Sequence, residues 1–251
     1  MTKINHFTYR QRPELVAEAN RINPSAWPEF MLHDPISNQH WGKLDTHFKD
    51  FQFVLCDQDD KVVAVGNSIP VTWEASLDDL PERGWDALLE KGVRDQELGQ
   101  APNLLCALSA VVAEQHRAKR LSIMVIEGMR DIASWSGFDW LVAPVRPSLK
   151  STYPLTPMER YIKWLREDGK PFDPWIRVHW GLGAVLVKVA PQSMTISGSI
   201  AEWEEWTGVQ LPESGVYIVP GALEPVHIDC EAGIGKYMEP NVWMKHEIKH
   251  Q

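Results

Sequence analysis

The sequence predicts an α/β (α+β) fold, a central sheet with flanking helices, and two segments carry that prediction. The first, residues 51–67, reads as an apolar strand, a polar turn at 57–60 and a β-branched strand, the pattern of a hairpin. The second, residues 104–145, passes from a small-apolar strand through a cationic turn into an apolar-periodic helix and a further buried strand, the order of a βαβ unit.

The remaining elements follow in chain order. Leu15, Val16, Ala19 and Ile22 form a helical stripe over 12–22 that ends before Pro24. Residues 23–48 are rich in Trp, Pro and His and predict irregular segments with a short helix at 41–48. The polar stretch 74–100, around Trp85, Leu88 and Leu89, predicts a helix inserted between strands. Residues 104–113 carry only small or apolar side chains, as a strand covered on both faces requires. Ile123, Ile126, Met129, Ile132 and Ala133 share one face of a helix over 121–135, and Gly137 separates it from a strand at 138–145.

A loop with Pro147, Pro154 and Pro157 follows, then a predicted helix at 158–167 and a strand at 185–189. From 191 to 251 short strands, a Trp-rich helical piece at 201–206 and several Pro and Gly predict an extension packed on the 1–190 domain.

A chain of 251 residues, 44% hydrophobic, can bury a full core. Its net charge of −9 disfavours nucleic acid as a partner, because phosphate backbones attract basic faces. No apolar run approaches the roughly 20 residues that span a bilayer, and the N-terminus lacks a signal core, so the expected compartment is the cytoplasm, without membrane association. Cys56, Cys106 and Cys230 are too scattered for a disulfide framework or zinc site. His33, His40 and His47 recur every seven residues, but Pro35 interrupts any common helical face; His246 and His250 could share one near the terminus. No metal is expected. The oligomeric state stays open, a homodimer included.

The junction from Val111 and Val112 to Ser122 is the segment richest in chemistry. Backbone N–H groups of a first helical turn have no intrahelical partner and face the positive end of the helix dipole, so they receive anions, and Arg117, Lys119 and Arg120 add charge. This junction resembles the acetyl-CoA-binding motif of the GCN5-related N-acetyltransferases, Arg/Gln-x-x-Gly-x-Gly/Ala after a valine-ended strand. Here it reads Arg117-x-x-Arg120-x-Ser122, with Arg120 and Ser122 in the two small-residue slots. Residues 173–184 resemble the family's later helix-to-strand segment: Gly183 falls on its glycine and His179 on the tyrosine that protonates the departing thiolate.

The resemblance covers roughly residues 50–190 and implies a mixed, splayed sheet of the acyl-CoA N-acyltransferase type. It implies acetyl-CoA, or another acyl-CoA, as co-substrate, bound by Val111, Val112, Arg117, Ala118, Lys119, Arg120, Leu121 and Ser122. It also implies direct attack on the thioester by the amine of a small-molecule acceptor, with no covalent cysteine. His179 would be the acid, its ordinary pKa of about 6.5 suiting proton transfer near neutrality. The predicted central strand lacks the family's carboxylate, which leaves Glu74 as a base acting through water or as a solvated loop residue. Ser109 could contribute a hydroxyl or pack within the strand. Arg146, Lys150 and Tyr153 cluster in the loop at a strand's C-terminal end, where they would hold an anionic acceptor or acyl group, or form a charged rim.

Two other readings stand beside acyl transfer. One is a ligand-binding or interaction module that has lost the chemistry, favoured by the missing glycines. The other is a CoA-dependent relative that decarboxylates or loads acyl groups.

Overall fold

The computed structural model describes residues 3–116 and 120–250. Its centre is a nine-stranded sheet in the order β1-β2-β3-β4-β5-β9-β8-β7, with β6 paired to β9. The hairpin expected at 51–67 is β2 (Gln52–Cys56) and β3 (Val62–Val71), and β1 (Asn5–Thr8) adds an outer strand to β2. Beyond it α1 (Val16–Ile22), α2 (Pro35–His40) and α3 (Leu44–His47) wrap the start of the chain around one side of the sheet.

The insertion is α4 (Gly84–Glu97), and the βαβ unit is β4 (Leu104–Val112), α5 (Leu121–Trp135) and β5 (Trp140–Val145). Strand alternation sends successive β4 side chains to opposite faces. Leu104, Cys106 and Leu108 join Trp85, Leu88, Leu89 and Val93 of α4 in one core, and Leu105 and Ala107 join Val125, Ile126 and Met129 of α5 in the other. That two-sided cover explains why β4 reads as a continuous apolar run. Close packing of α5 depends on two glycines. A Cβ on Gly66 would come within 2.3 Å of the Phe53 ring, and one on Gly128 within 2.9 Å of it.

The helix expected at 158–167 stops early. The chain forms α6 (Met158–Tyr161) and then turns back, with Phe172 N–H donating to the Trp164 carbonyl at 2.9 Å and Gly169 at φ +75°. Tyr153, Tyr161, Trp164 and Phe172 pack ring against ring there, and that tertiary cluster outweighs helix propensity.

Next come α7 (Pro174–Gly181), β6 (Val185–Ser199), α8 (Ile200–Thr207), β7 (Gly215–Tyr217), β8 (Val226–Asp229) and β9 (Ile234–Glu247). The boundary expected at 190 lies inside β6. Antiparallel β9 pairs with β5 from Trp140↔Glu247 to Val145↔Val242, so the end of the chain is built into the central sheet. No helix among the described residues is long and apolar enough to cross a membrane.

Candidate active site

β4 and β5 run parallel but are paired only at Leu105↔Leu141 and Cys106↔Val142; beyond these the strands diverge. Two local features fit the divergence. Leu108 is skipped in the β3–β4 register, where Asn67 faces Ser109 and Ser68 faces Ala107, and such a bulge bends its strand. Pro144 on β5 has no N–H with which to continue a ladder. The Trp85 indole N–H takes the bulge carbonyl of Leu108 at 2.8 Å. Between the strands lies a wedge-shaped cavity of about 770 Å³, reached by the β4 edge from Ala107 to Val112 and by the start of α5. A second pocket of about 320 Å³ shares Trp27, Trp85, Leu108, Ser109 and Met194 with it.

Val111, Val112, Arg120, Leu121 and Ser122 all line the wedge, as does Ser109. Arg117, Ala118 and Lys119 lie outside the described residues. Arg120 stands at the N-cap of α5 with φ 60° and ψ 13°, the left-handed conformation that a glycine adopts without cost. The Ser109 hydroxyl is buried and donates to Asn23 Oδ1 at 2.7 Å.

His179 lines the wedge from α7. Asp173 fixes that helix: its side chain accepts from Trp175 N and Ile176 N at the N-cap, and from the Tyr161 hydroxyl and Leu149 N. Gly183, at φ +85°, ends the turn that follows α7. The His179 ring is 1% exposed and its Nδ1 lies 2.9 Å from Nε2 of His246 on β9. Burial, then the charge of His246, pushes the His179 pKa down to about 3, so the imidazole is neutral near pH 7 and not the ready proton carrier its ordinary pKa suggests. His246 sits on a strand, not on a helix face shared with His250. Burial and the nearby Arg130 charge lower its pKa to about 4.

The loop cations differ from expectation. Arg146 lines the wedge, but its Nε donates to buried Glu239 Oε1 and its Nη2 to the Gly221 carbonyl, so its charge is already matched. The Tyr237 hydroxyl donates to the other Glu239 oxygen. Lys150 is fully buried and its ammonium donates to the carbonyls of Tyr153 and Leu223. Burial lowers its pKa, which nearby Glu224 and Glu239 oppose. Tyr153 belongs to the aromatic cluster. Neither Lys150 nor Tyr153 is among the residues lining the wedge, because satisfying backbone carbonyls and filling the aromatic core use both side chains up.

Glu74 is exposed just past the end of β3. Since Val71 pairs with Leu104 whereas Ala64 pairs with Val112, Glu74 lies at the opposite end of the sheet from the wedge. Sequence reasoning missed Glu239 and Asn241 on β9, which do line the wedge, and also Asn23. Their one sequence signal is polarity within strong apolar alternation, and Pro240 between the two hides it. Among the described residues no three metal-binding side chains converge.

No protein-family model matches the chain. It is 38% identical over 251 aligned residues to arginine N-acetyltransferase avaD of Aspergillus versicolor, covering 89% of this chain and 86% of that protein. The chain belongs to the GCN5-related N-acetyltransferase superfamily. As an N-acetyltransferase it moves an acyl group from an acyl-CoA to an amine. Among the solved structures that share its fold are the following two. The loading GNATL domain of CurA from Lyngbya majuscula superposes with a TM-score of 0.62 at 17% identity, each chain covered in full. The GphF GNAT-like decarboxylase in complex with isobutyryl-CoA gives 0.58 at 14%, covering 98% of this acetyltransferase and all of that chain.

Proposed function

We propose that this acetyltransferase transfers acetyl from acetyl-CoA to the amine of a small cationic acceptor, arginine or a close analogue, by direct attack on the thioester. The observation that carries the reading is the wedge, where a strand edge free of ladder partners among the described residues faces a cavity ending at a helix N-terminus. The identity to an arginine N-acetyltransferase supports the acceptor class.

In this reading β4 backbone groups around Val111 and Val112 pair with the pantetheine arm, and the start of α5, with Arg120, Leu121 and Ser122, takes the pyrophosphate. Residues 117–119 are expected beside them. Glu239, paired with Arg146, is the one carboxylate lining the wedge among the described residues, and it takes the amine proton. His179 acts as a neutral donor. His246 Nδ1 is buried without a partner, and an orphaned lone pair there is less costly than an orphaned N–H. His246 therefore carries its proton on Nε2 and donates to His179 Nδ1, leaving the Nε2–H of His179 for the developing thiolate.

No cysteine lines the wedge among the described residues, which supports attack without an acyl-enzyme. All three cysteines are free, as befits the reducing cytoplasm we assign to the protein. Initial rates with acetyl-CoA and arginine test the reading. Intersecting reciprocal plots with amine-dependent thiol release are expected. Parallel plots, or thiol release indifferent to any amine, refute it.

A further inference from the structure

The second pocket carries a chemical signature of its own. Indoles from Trp27, Trp41 and Trp85 line it, the last two with parallel rings 6.0 Å apart, and none of its lining side chains is charged. Its inner end, at Ser109 and Leu108, opens onto the wedge beside the β4 bulge, so a molecule with its amine in the wedge extends its tail among the indoles.

Directly behind this wall lie two buried carboxyl groups, Asp34 and Asp86. Asp34 accepts from Ser37 N at 2.7 Å, Asp86 accepts from Thr195 N at 3.3 Å, and Ser37, Met194 and Trp85 line the pocket. These three lining residues are thus each one bond or one residue removed from the pair. Asp34 Oδ2 and Asp86 Oδ1 are buried without hydrogen-bond partners. Among the described residues neither carboxyl forms an ion pair; Arg83, the cation whose charge reaches both, is bound to Glu90 at 2.9 Å. Burial, reinforced for Asp86 by the charge of Asp34, raises them to about 6 and about 8, so near neutrality they hold one proton and one negative charge between them.

We infer that the indole pocket is the acceptor side-chain site and that it selects a planar cation, a guanidinium stacked on Trp faces with the buried acid pair behind it. Aromatic faces attract cations through their quadrupole, and the low-dielectric wall transmits the carboxylate's charge. A carboxylate tail is repelled by the same pair. A neutral aryl tail gains the stacking without the charge. The inference names the substrate class of the proposed reaction and so rests on that reading.

The test compares arginine with citrulline, which has the same shape but an uncharged urea head. Each is titrated calorimetrically into protein saturated with CoA, and each is assayed for acetyl transfer. Arginine is expected to bind at least roughly tenfold more tightly, the scale of one partly desolvated cation–π contact. Trp41→Leu, at a half-buried position, and Asp34→Asn, which removes the charge of the pair and keeps an acceptor for Ser37 N, should each erase most of that ratio while leaving CoA affinity and citrulline binding within about twofold. Equal affinity for the two ligands, or variants that weaken both alike, overturns the inference. Arginine bound selectively but never acetylated would count against the proposed reaction alone, since the titration reads the pocket without catalysis.

Discussion

Asp86→Asn gives the sharpest physical test of the buried acid pair, because its effect on stability must change with pH. An aspartate in the unfolded chain releases its proton near pH 3.8, whereas Asp86 in the fold holds its proton up to about pH 8. Between these values the native state binds a proton that the unfolded state has lost, so unfolding free energy falls as pH rises. At full occupancy the slope is about 1.4 kcal/mol per pH unit, and integrating from pH 6.5 to 8.5 about a pKa near 8 gives a loss of roughly 2 kcal/mol. An asparagine keeps the acceptor for Thr195 N and does not titrate, so the variant should lack that loss. The assay is urea unfolding of both proteins at pH 6.5, 7.5 and 8.5 and fixed ionic strength, read as the difference between the two profiles. Subtraction cancels groups not coupled to the pair, among them His179 and His246, which are neutral in the fold with pKa values of about 3 and 4 and charge in the unfolded chain below about pH 6.5. Asparagine should gain on wild type by roughly 2 kcal/mol across the window, which for a chain of this size is roughly 4–8 °C in Tm. Parallel profiles would mean that no proton is held there.

Three further outcomes follow from the site. Arg120→Gly removes a side chain from a left-handed position and should stabilise the fold by roughly 0.5–1 kcal/mol in thermal unfolding; a loss of stability would show that the arginine's contacts outweigh its backbone strain. Lys150→Met leaves the Tyr153 and Leu223 carbonyls without a donor and should cost about 2–4 kcal/mol of stability with the acceptor KM unchanged, whereas a rise in KM at intact stability would restore a substrate role. His246→Gln preserves an N–H donor toward His179 and should keep the Nε2–H tautomer in ¹⁵N spectra, while His246→Glu, an acceptor, should reverse it and lower kcat by roughly tenfold or more; unchanged ¹⁵N shifts in both would separate His246 from the tautomer.

Much of the sheet is legible in the sequence, because its signals are local. The β2–β3 hairpin and the β4–α5–β5 unit carry the periodicity of their own burial, and both occur where expected. β1 is four half-buried residues that exist by pairing with β2, and no pattern marks them. β9 is broken in sequence by Pro240, which falls where β6 shifts register between Ala190 and Met194, a place where a missing N–H is tolerated. The site divides in the same way. The strand edge and helix start at Val111–Val112 and Arg120–Ser122 are local and were readable. Glu239 reaches Arg146 across 93 residues and His246 reaches His179 across 67, and separations of that size leave no trace in periodicity. Cations near a strand end suggest anion binding, yet Arg146 and Lys150 hold the carbonyls of Gly221 and Leu223.

That use of the loop cations changes how charge is arranged along the reaction path. Were Arg146 and Lys150 free, the middle of the wedge would be cationic and would repel a cationic amine just where it must approach the thioester. Instead Arg146 is cancelled by Glu239, Lys150 is withdrawn into the protein, and the two imidazoles are neutral. What remains is polar at its extremes: a helix N-terminus with Arg120 at one end, and the buried acid pair behind the indoles at the other. In the proposed reaction an anionic acyl donor and a cationic acceptor would thereby be drawn to opposite ends and meet at the β4 bulge, where neither charge is opposed. The strand that makes this neutral middle is β9, which contributes both Glu239 and His246, so the terminal segment is as much a part of the site as the strand edge it faces.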